Sequence, residues 1–145
     1  MSGVLRPVFT SRENTVMKEL TEQQVRILNG RHFATVATLN PDGSPEATVV
    51  WIETDGKYIY FNTAFPRLKA RNLERDPRVA ITVFDPERPY DDVLAIQGRA
   101  ELIFEGADEH IDKLSRVYKG EPYTGFRQGL IRVIVKVTPE RIHVQ

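Results

Sequence analysis

The densest run of side chains able to do chemistry is Asn62-Thr63-Ala64-Phe65-Pro66-Arg67-Leu68-Lys69-Ala70-Arg71-Asn72. Small polar residues close an apolar stretch, and a basic cluster opens what reads as a helix. A helix N-terminus offers free N–H groups and the positive end of its dipole, which suit an anion. Thr63 adds a hydroxyl donor, Lys69 adds charge, and Arg67 adds a guanidinium that matches phosphate bidentately. These residues fit a phosphate or phosphodiester cradle. They equally fit a solvated basic helix face balanced by Glu74 and Asp76. A second candidate is Thr48-Val49-Val50-Trp51. Such a strand could lie along a flat heteroaromatic ring or simply fill the core. A third is Gln97-Gly98-Arg99, where the glycine allows close approach of a ligand or marks a bulge.

Other chemistries lack the residues they need. The chain has no cysteine, and His32, His110 and His143 lie far apart without metal-ligand spacing. That excludes a disulfide framework, a thiol nucleophile and Cys-ligated metal. Ser44 and Ser115 sit in no nucleophile elbow, and no GxGxxG or P-loop glycine pattern occurs. His110, on a charged helical segment, reads as exposed. Any reaction is therefore expected to belong to a cofactor that the protein binds and orients.

The elements that position these residues fit in 145 residues, enough for one domain burying about 70% of its unfolded surface. Twenty basic residues against twenty acidic ones give no net charge, which argues against a nucleic-acid binder. A hydrophobic fraction of 41% without any bilayer-length apolar run, and no apolar h-region, lead us to expect a cytoplasmic protein and no membrane partner. Residues 1–17 read as a flexible N-terminal arm and 18–145 as a single domain.

Thr21 with Gln24 makes a capping box for a helix over 22–29, with Gly30 as a left-handed stop. Strands are expected at 32–39, 45–53 and 57–62, joined by the turns Asn40-Pro41-Asp42-Gly43 and Thr54-Asp55-Gly56 into a meander. Residues 63–66 read as a loop, Pro66 as the first turn of a helix over 67–75, and 79–84 as a strand buried on both faces. A long strand at 93–104 carries Gly98. A helix over 107–119 presents Ala107, Ile111, Leu114 and Tyr118 on one stripe and stops at Gly120. The stretch 130–138 sets Arg132 and Lys136 against Ile131, Val133, Val135 and Val137, with a turn at Pro139-Glu140. This makes a mainly β fold, an antiparallel β-barrel of meander or Greek-key type with short helices. A small barrel is filled by its own side chains, so a ligand is expected outside it or between subunits.

Residues 32–84, and most specifically PRLKARNLERDPRVAI, resemble the split β-barrel, FMN-binding-like family related to pyridoxamine 5′-phosphate oxidase. Within it the pattern is most similar to the branch dependent on the deazaflavin coenzyme F-420. The resemblance implies a homodimeric oxidoreductase with cofactor sites at the subunit interface and a small-molecule substrate. A reduced deazaflavin would pass a hydride to a conjugated acceptor. It implies that Thr48, Val49, Val50 and Trp51 flank the ring, and that Asn62, Thr63, Ala64, Arg67, Lys69, Arg71 and Asn72 surround the phosphate. Lys69 matches the lysine of the oxidases' Ser-Arg-Lys clamp, whereas Arg67 and Leu68 fall on its serine and arginine. Thr48 and Glu53 replace an arginine and a lysine, which disfavours a phosphate monoester, and Arg67, Lys69, Arg71 and Arg75 better suit a longer polyanion such as the phosphodiester and glutamate tail of the deazaflavin. FMN as the cofactor, or a non-catalytic flavin- or haem-binding module, are the alternatives on the same fold.

Overall fold

The computed structural model describes residues 18–144, so the expected arm at 1–17 lies outside the described residues. The elements are α1 (Glu22–Leu28), β1 (Ala34–Leu39), β2 (Pro45–Val50), β3 (Glu53–Thr54), β4 (Ile59–Phe65), α2 (Leu68–Arg75), β5 (Arg78–Phe84), β6 (Val93–Ile103), α3 (Ala107–Lys119) and β7 (Ile131–Val144). All strand pairs are antiparallel, in the order β2-β1-β5-β6-β7-β4-β3. The result is one curled seven-stranded sheet with short helices, the expected barrel class.

The capping box forms as its residue types dictate. Thr21 Oγ1 accepts from the Gln24 amide at 3.1 Å, and Gln24 Oε1 accepts from the Thr21 amide at 2.9 Å. The left-handed residue after α1 is Arg31 (φ 62°) rather than Gly30. Asn29 is held there by Thr54, accepting from its amide at 2.8 Å and donating to its carbonyl at 3.1 Å.

The meander breaks at Trp51-Ile52. β2 ends at Val50, and the chain then changes partners, so that Glu53 and Thr54 pair with Tyr60 and Ile59 on the opposite edge of the sheet. A helix side chain makes the break tolerable. The Tyr118 hydroxyl accepts from the Ile52 amide at 2.9 Å and lies 2.9 Å from the His32 and Ile52 carbonyls, one of which takes its proton. Backbone groups that a ladder would have satisfied are thus satisfied by α3.

β4 is longer than expected and runs through residues 63–65 into a cis Phe65–Pro66 bond. Pro66 therefore precedes the helix, and Arg67 is its N-cap. β5 is buried on one face only, through Val79, Ile81 and Val83, while Thr82 and Phe84 are exposed. β6 carries the expected bulge at Gln97/Gly98, where a Cβ on Gly98 would collide with the Thr138 carbonyl. No turn forms at Pro139. β7 passes straight through it, opposite Gly98 at the bulge, a position where proline is tolerated in a sheet. At the start of β7 the expected alternation is inverted: Ile131 is exposed and Arg132 is 7% exposed. α3 buries Ala107, Ile111, Leu114 and Ser115, and Gly120 ends it at φ 76°. Phe61, Ile59, Leu94, Ile96, Val135 and Val137 fill the core. No helix among the described residues is long and apolar enough to cross a membrane.

Candidate functional site

Because β3 pairs only with Ile59 and Tyr60, β4 has a free edge beyond them. A cleft of about 200 Å³ opens along that edge, between the end of β2, the start of α2 and the buried stripe of α3. Val49, Val50, Trp51, Asn62, Thr63, Arg67 and Lys69 line it, together with Phe33, Ile111 and Leu114. The two segments singled out from sequence, 48–51 and 62–72, are therefore brought to one place. Thr48 contributes through Lys69, whose Nζ donates to Thr48 Oγ1 at 2.6 Å. Three other sequence candidates lie elsewhere. Ala64 is fully buried, Arg71 is exposed, and Asn72 spends its amide on Thr38 Oγ1 (3.1 Å) and Asn40 Oδ1 (3.0 Å), tying α2 to β1.

One wall of the cleft is aromatic. Trp51 stacks on Tyr118 at 5.5 Å and 19°, and Phe33 stacks on the same tyrosine at 6.0 Å and 27°. Offset stacks of this kind present a flat, apolar surface to a planar ligand. Phe33 and Val49 are 64% and 63% exposed, so the cleft offers apolar surface to a ligand.

Arg67 and Lys69 put two cations on the cleft, and Arg132, which lines a neighbouring cavity with Asp108 and Glu109, approaches them from behind Asn62. Among the described residues, Arg67, Lys69 and Arg132 have no carboxylate within ion-pair distance. Burial pushes the Lys69 ammonium below its ordinary value; Glu46 opposes that, and Arg67 and Arg132 reinforce it. Burial likewise lowers Arg132, with Arg67 adding to the effect and Tyr123 and Asp108 opposing it. Cations that crowd and desolvate one another without an anion raise the energy of the free protein, and a bound anion relieves it. α2 adds an N-terminus with no side-chain cap and no acidic residue in its first turn. Thr63 is 2% exposed, and its Oγ1 has no hydrogen-bond partner. A buried hydroxyl left unsatisfied at the lip of a cationic cleft is a donor waiting for an acceptor. These groups together fit a phosphate-bearing planar cofactor.

Sequence reasoning missed two members of this neighbourhood. Arg132 was read onto an exposed strand face, yet its Nε donates to Asn62 Oδ1 at 2.8 Å and its guanidinium lies 5.4 Å from the Tyr123 ring centroid. His110 was expected to be exposed. Its side chain is only 9% exposed, with Nδ1 3.0 Å from Asn62 Nδ2 and Nε2 3.0 Å from Glu53 Oε2. The inverted alternation at Ile131-Arg132 leaves no trace in residue type. A histidine at the fourth position of an amphipathic helix, one turn before Leu114, was the only available signal.

A larger groove of about 820 Å³ lies over Ala37, Ala80, Gln97, Arg99 and Arg141. Its Arg78 and Arg99 are already paired, with Asp76 (2.8 Å) and Glu140 (3.3 Å). The smaller cleft, with its unpaired cations and orphan hydroxyl, is the better ligand site despite its size.

Known proteins share this arrangement of elements. An F420 reductase superposes with a TM-score of 0.76 at 29% identity, covering 86% of this chain and 98% of its own. A conserved hypothetical protein from Mycobacterium tuberculosis gives 0.69 at 29% identity, covering 90% and 85%. The General Stress Protein 26 from Bacillus anthracis gives 0.63 at 16% identity, covering 85% and 91%, a likeness of fold alone. The family model for pyridoxamine 5′-phosphate oxidase matches residues 20–145. With nearly the whole described chain inside that match, the protein belongs to the pyridoxamine 5′-phosphate oxidase family of split-barrel, flavin-binding oxidoreductases.

Proposed function

We propose that the protein is an oxidoreductase that uses the deazaflavin coenzyme F420 in the cleft between β2, β4 and α2, and that two copies complete the site. The observation that carries this reading is the convergence of unpaired Arg67 and Lys69 with the orphan Thr63 hydroxyl beside the flat Trp51–Tyr118 wall. Likeness to an F420 reductase supports the deazaflavin over FMN.

A reduced deazaflavin supplies a hydride to a conjugated small-molecule acceptor. The chain's own residues bind and orient. Lys69, steadied by Thr48, and Arg67 neutralise phosphate charge. Thr63 donates its hydroxyl to a phosphate oxygen. Val49, Val50 and Trp51 keep water from one face of the ring. The second copy is supported by the outer sheet face. Strand register sets Val49, Thr35, Thr82 and Ala95 in one row and Ala47, Ala37, Ala80 and Gln97 in the next. Such a low surface of mostly small, uncharged residues suits face-to-face packing, and the large groove opens on it.

Titration with coenzyme F420 and with FMN, read through the fluorescence of the sole tryptophan, Trp51, tests this reading. Coenzyme F420 is expected to bind more tightly. Lys69→Ala is expected to weaken it at least about tenfold, since a hydrogen bond to a charged group contributes roughly 1.5–3 kcal/mol. Unchanged affinity in the variant removes the anchor, tighter FMN binding reverses the cofactor choice, and tight binding with no turnover over a panel of acceptors makes the protein a carrier.

A further inference from the structure

Two buried side-chain atoms among the described residues have no hydrogen-bond partner: the Thr63 hydroxyl of the cleft and Oε1 of Glu46, which the proposed function leaves unused. Glu46 lies on β2 opposite Thr38, on the strand face that also carries Thr48. α2 covers that face through two anchors one turn apart. Lys69 Nζ donates to Thr48 Oγ1 at 2.6 Å, and Asn72 Nδ2 donates to Thr38 Oγ1 at 3.1 Å. Glu46 therefore sits beside both anchors and bonds to neither. Asn72 Nδ2 also donates to Asn40 Oδ1 at 3.0 Å, so it has no proton left, and Glu46 forms no ion pair among the described residues. Its charge nevertheless acts on the site: it favours the ammonium form of Lys69, against burial and against Arg67 and Arg132. A carboxylate oxygen closed to solvent without a donor destabilises the fold, and this one contributes no hydrogen bond to either element.

We propose that Glu46 is a specificity-determining residue of the cleft: acting beside Lys69, it offsets one of the two cations there and so favours a phosphodiester over a phosphate monoester. This inference rests on the reading of the cleft as an anionic-cofactor site. Arg67 and Lys69 are the cations that line the cleft, and Glu46 is the anion coupled to Lys69. Arg132 lines the neighbouring cavity, where Asp108 opposes its charge. A phosphodiester carries one negative charge and balances what remains. A monoester well above pH ~6 carries nearly two, and the second meets no free cation in a partly desolvated site. Glu46 does not line the cleft, so its effect on a ligand is one of charge and not of contact. Like charges several ångströms apart near a protein surface repel strongly enough to change affinity about tenfold for each unit of ligand charge.

The test uses the whole chain and two ligands that share one ring and differ by one charge. FMN and the methyl ester of its phosphate are titrated at about pH 8, where the monoester is a dianion, and binding is read through Trp51 fluorescence. Wild type is expected to bind the methyl ester at least as tightly as FMN. Glu46→Gln keeps the size of the side chain and is expected to strengthen FMN binding roughly tenfold more than binding of the ester. A wild-type preference for FMN, or equal changes for both ligands in the variant, overturns the proposal; a purely structural role of Glu46 would move the two together. A second readout needs no ligand. The Lys69 side-chain signal in NMR is expected to titrate at lower pH in Glu46→Gln, because the charge that favours the ammonium is gone. An unmoved titration overturns the coupling. Failure of FMN, its ester and coenzyme F420 all to bind wild type overturns the cofactor reading and the specificity half of this one, while the Lys69 titration still decides the coupling. Should Glu46→Gln fail to fold, the wild-type preference between FMN and its ester decides alone.

Discussion

Thr63 is the residue in which site and scaffold separate most cleanly. Its Oγ1 is buried and bonded to nothing, so the hydroxyl contributes no hydrogen bond to the fold. Thr63→Val keeps the β-branched shape and removes only the donor. Denaturant unfolding of the variant without cofactor is expected to match or slightly exceed wild type. Cofactor affinity is expected to fall about tenfold, near the ~1.5 kcal/mol of a hydrogen bond to a charged phosphate. A loss of stability with full affinity would mean that the hydroxyl serves the protein rather than the ligand. Lys69 is less clean, because its ammonium already holds Thr48 Oγ1 and its removal frees a second group.

At the scale of elements, α3 is a brace as much as a wall. Through Tyr118 it satisfies the backbone at Trp51-Ile52, where the chain leaves one edge of the sheet for the other. Tyr118→Phe keeps the ring that stacks with Phe33 and Trp51 but leaves the Ile52 amide without its acceptor. A loss of about 1–3 kcal/mol in urea unfolding is expected, the cost of an unsatisfied buried group. A variant as stable as wild type would show that water replaces the hydroxyl. α2 is fixed differently. Asn72, fully buried, holds β1 through Thr38 and Asn40, and this tether aims the helix start, with Arg67 and Lys69, at the cleft.

At the scale of the molecule, the curled sheet covers its core on the inside and leaves two rows of small residues facing out. Pairing of copies through that face predicts a dimer in sedimentation at micromolar concentration. Ala37→Arg, which puts a charge in the middle of the rows while leaving the core untouched, is expected to yield a folded monomer with an unchanged circular dichroism spectrum. A wild-type monomer, or an unaffected dimer in the variant, would move the interface elsewhere.

Local chemistry made much of the fold legible beforehand. The capping box at Thr21, the Gly98 bulge, the apolar stripe of α3 and its glycine stop each depend on residues within a turn or two of one another, and each formed as read. So did the antiparallel barrel class. What eluded the sequence were choices made between distant groups. β2 ends at Val50 because a tyrosine on α3 waits there, not because residues 51–53 oppose a strand. Arg132 turns inward because Asn62 and Tyr123 accept it, and His110 is buried because Glu53 and Asn62 meet it. Propensity and periodicity act along the chain and were decided by the residues themselves; the destination of a buried polar side chain depends on partners across the sheet, and only tertiary structure brings those together.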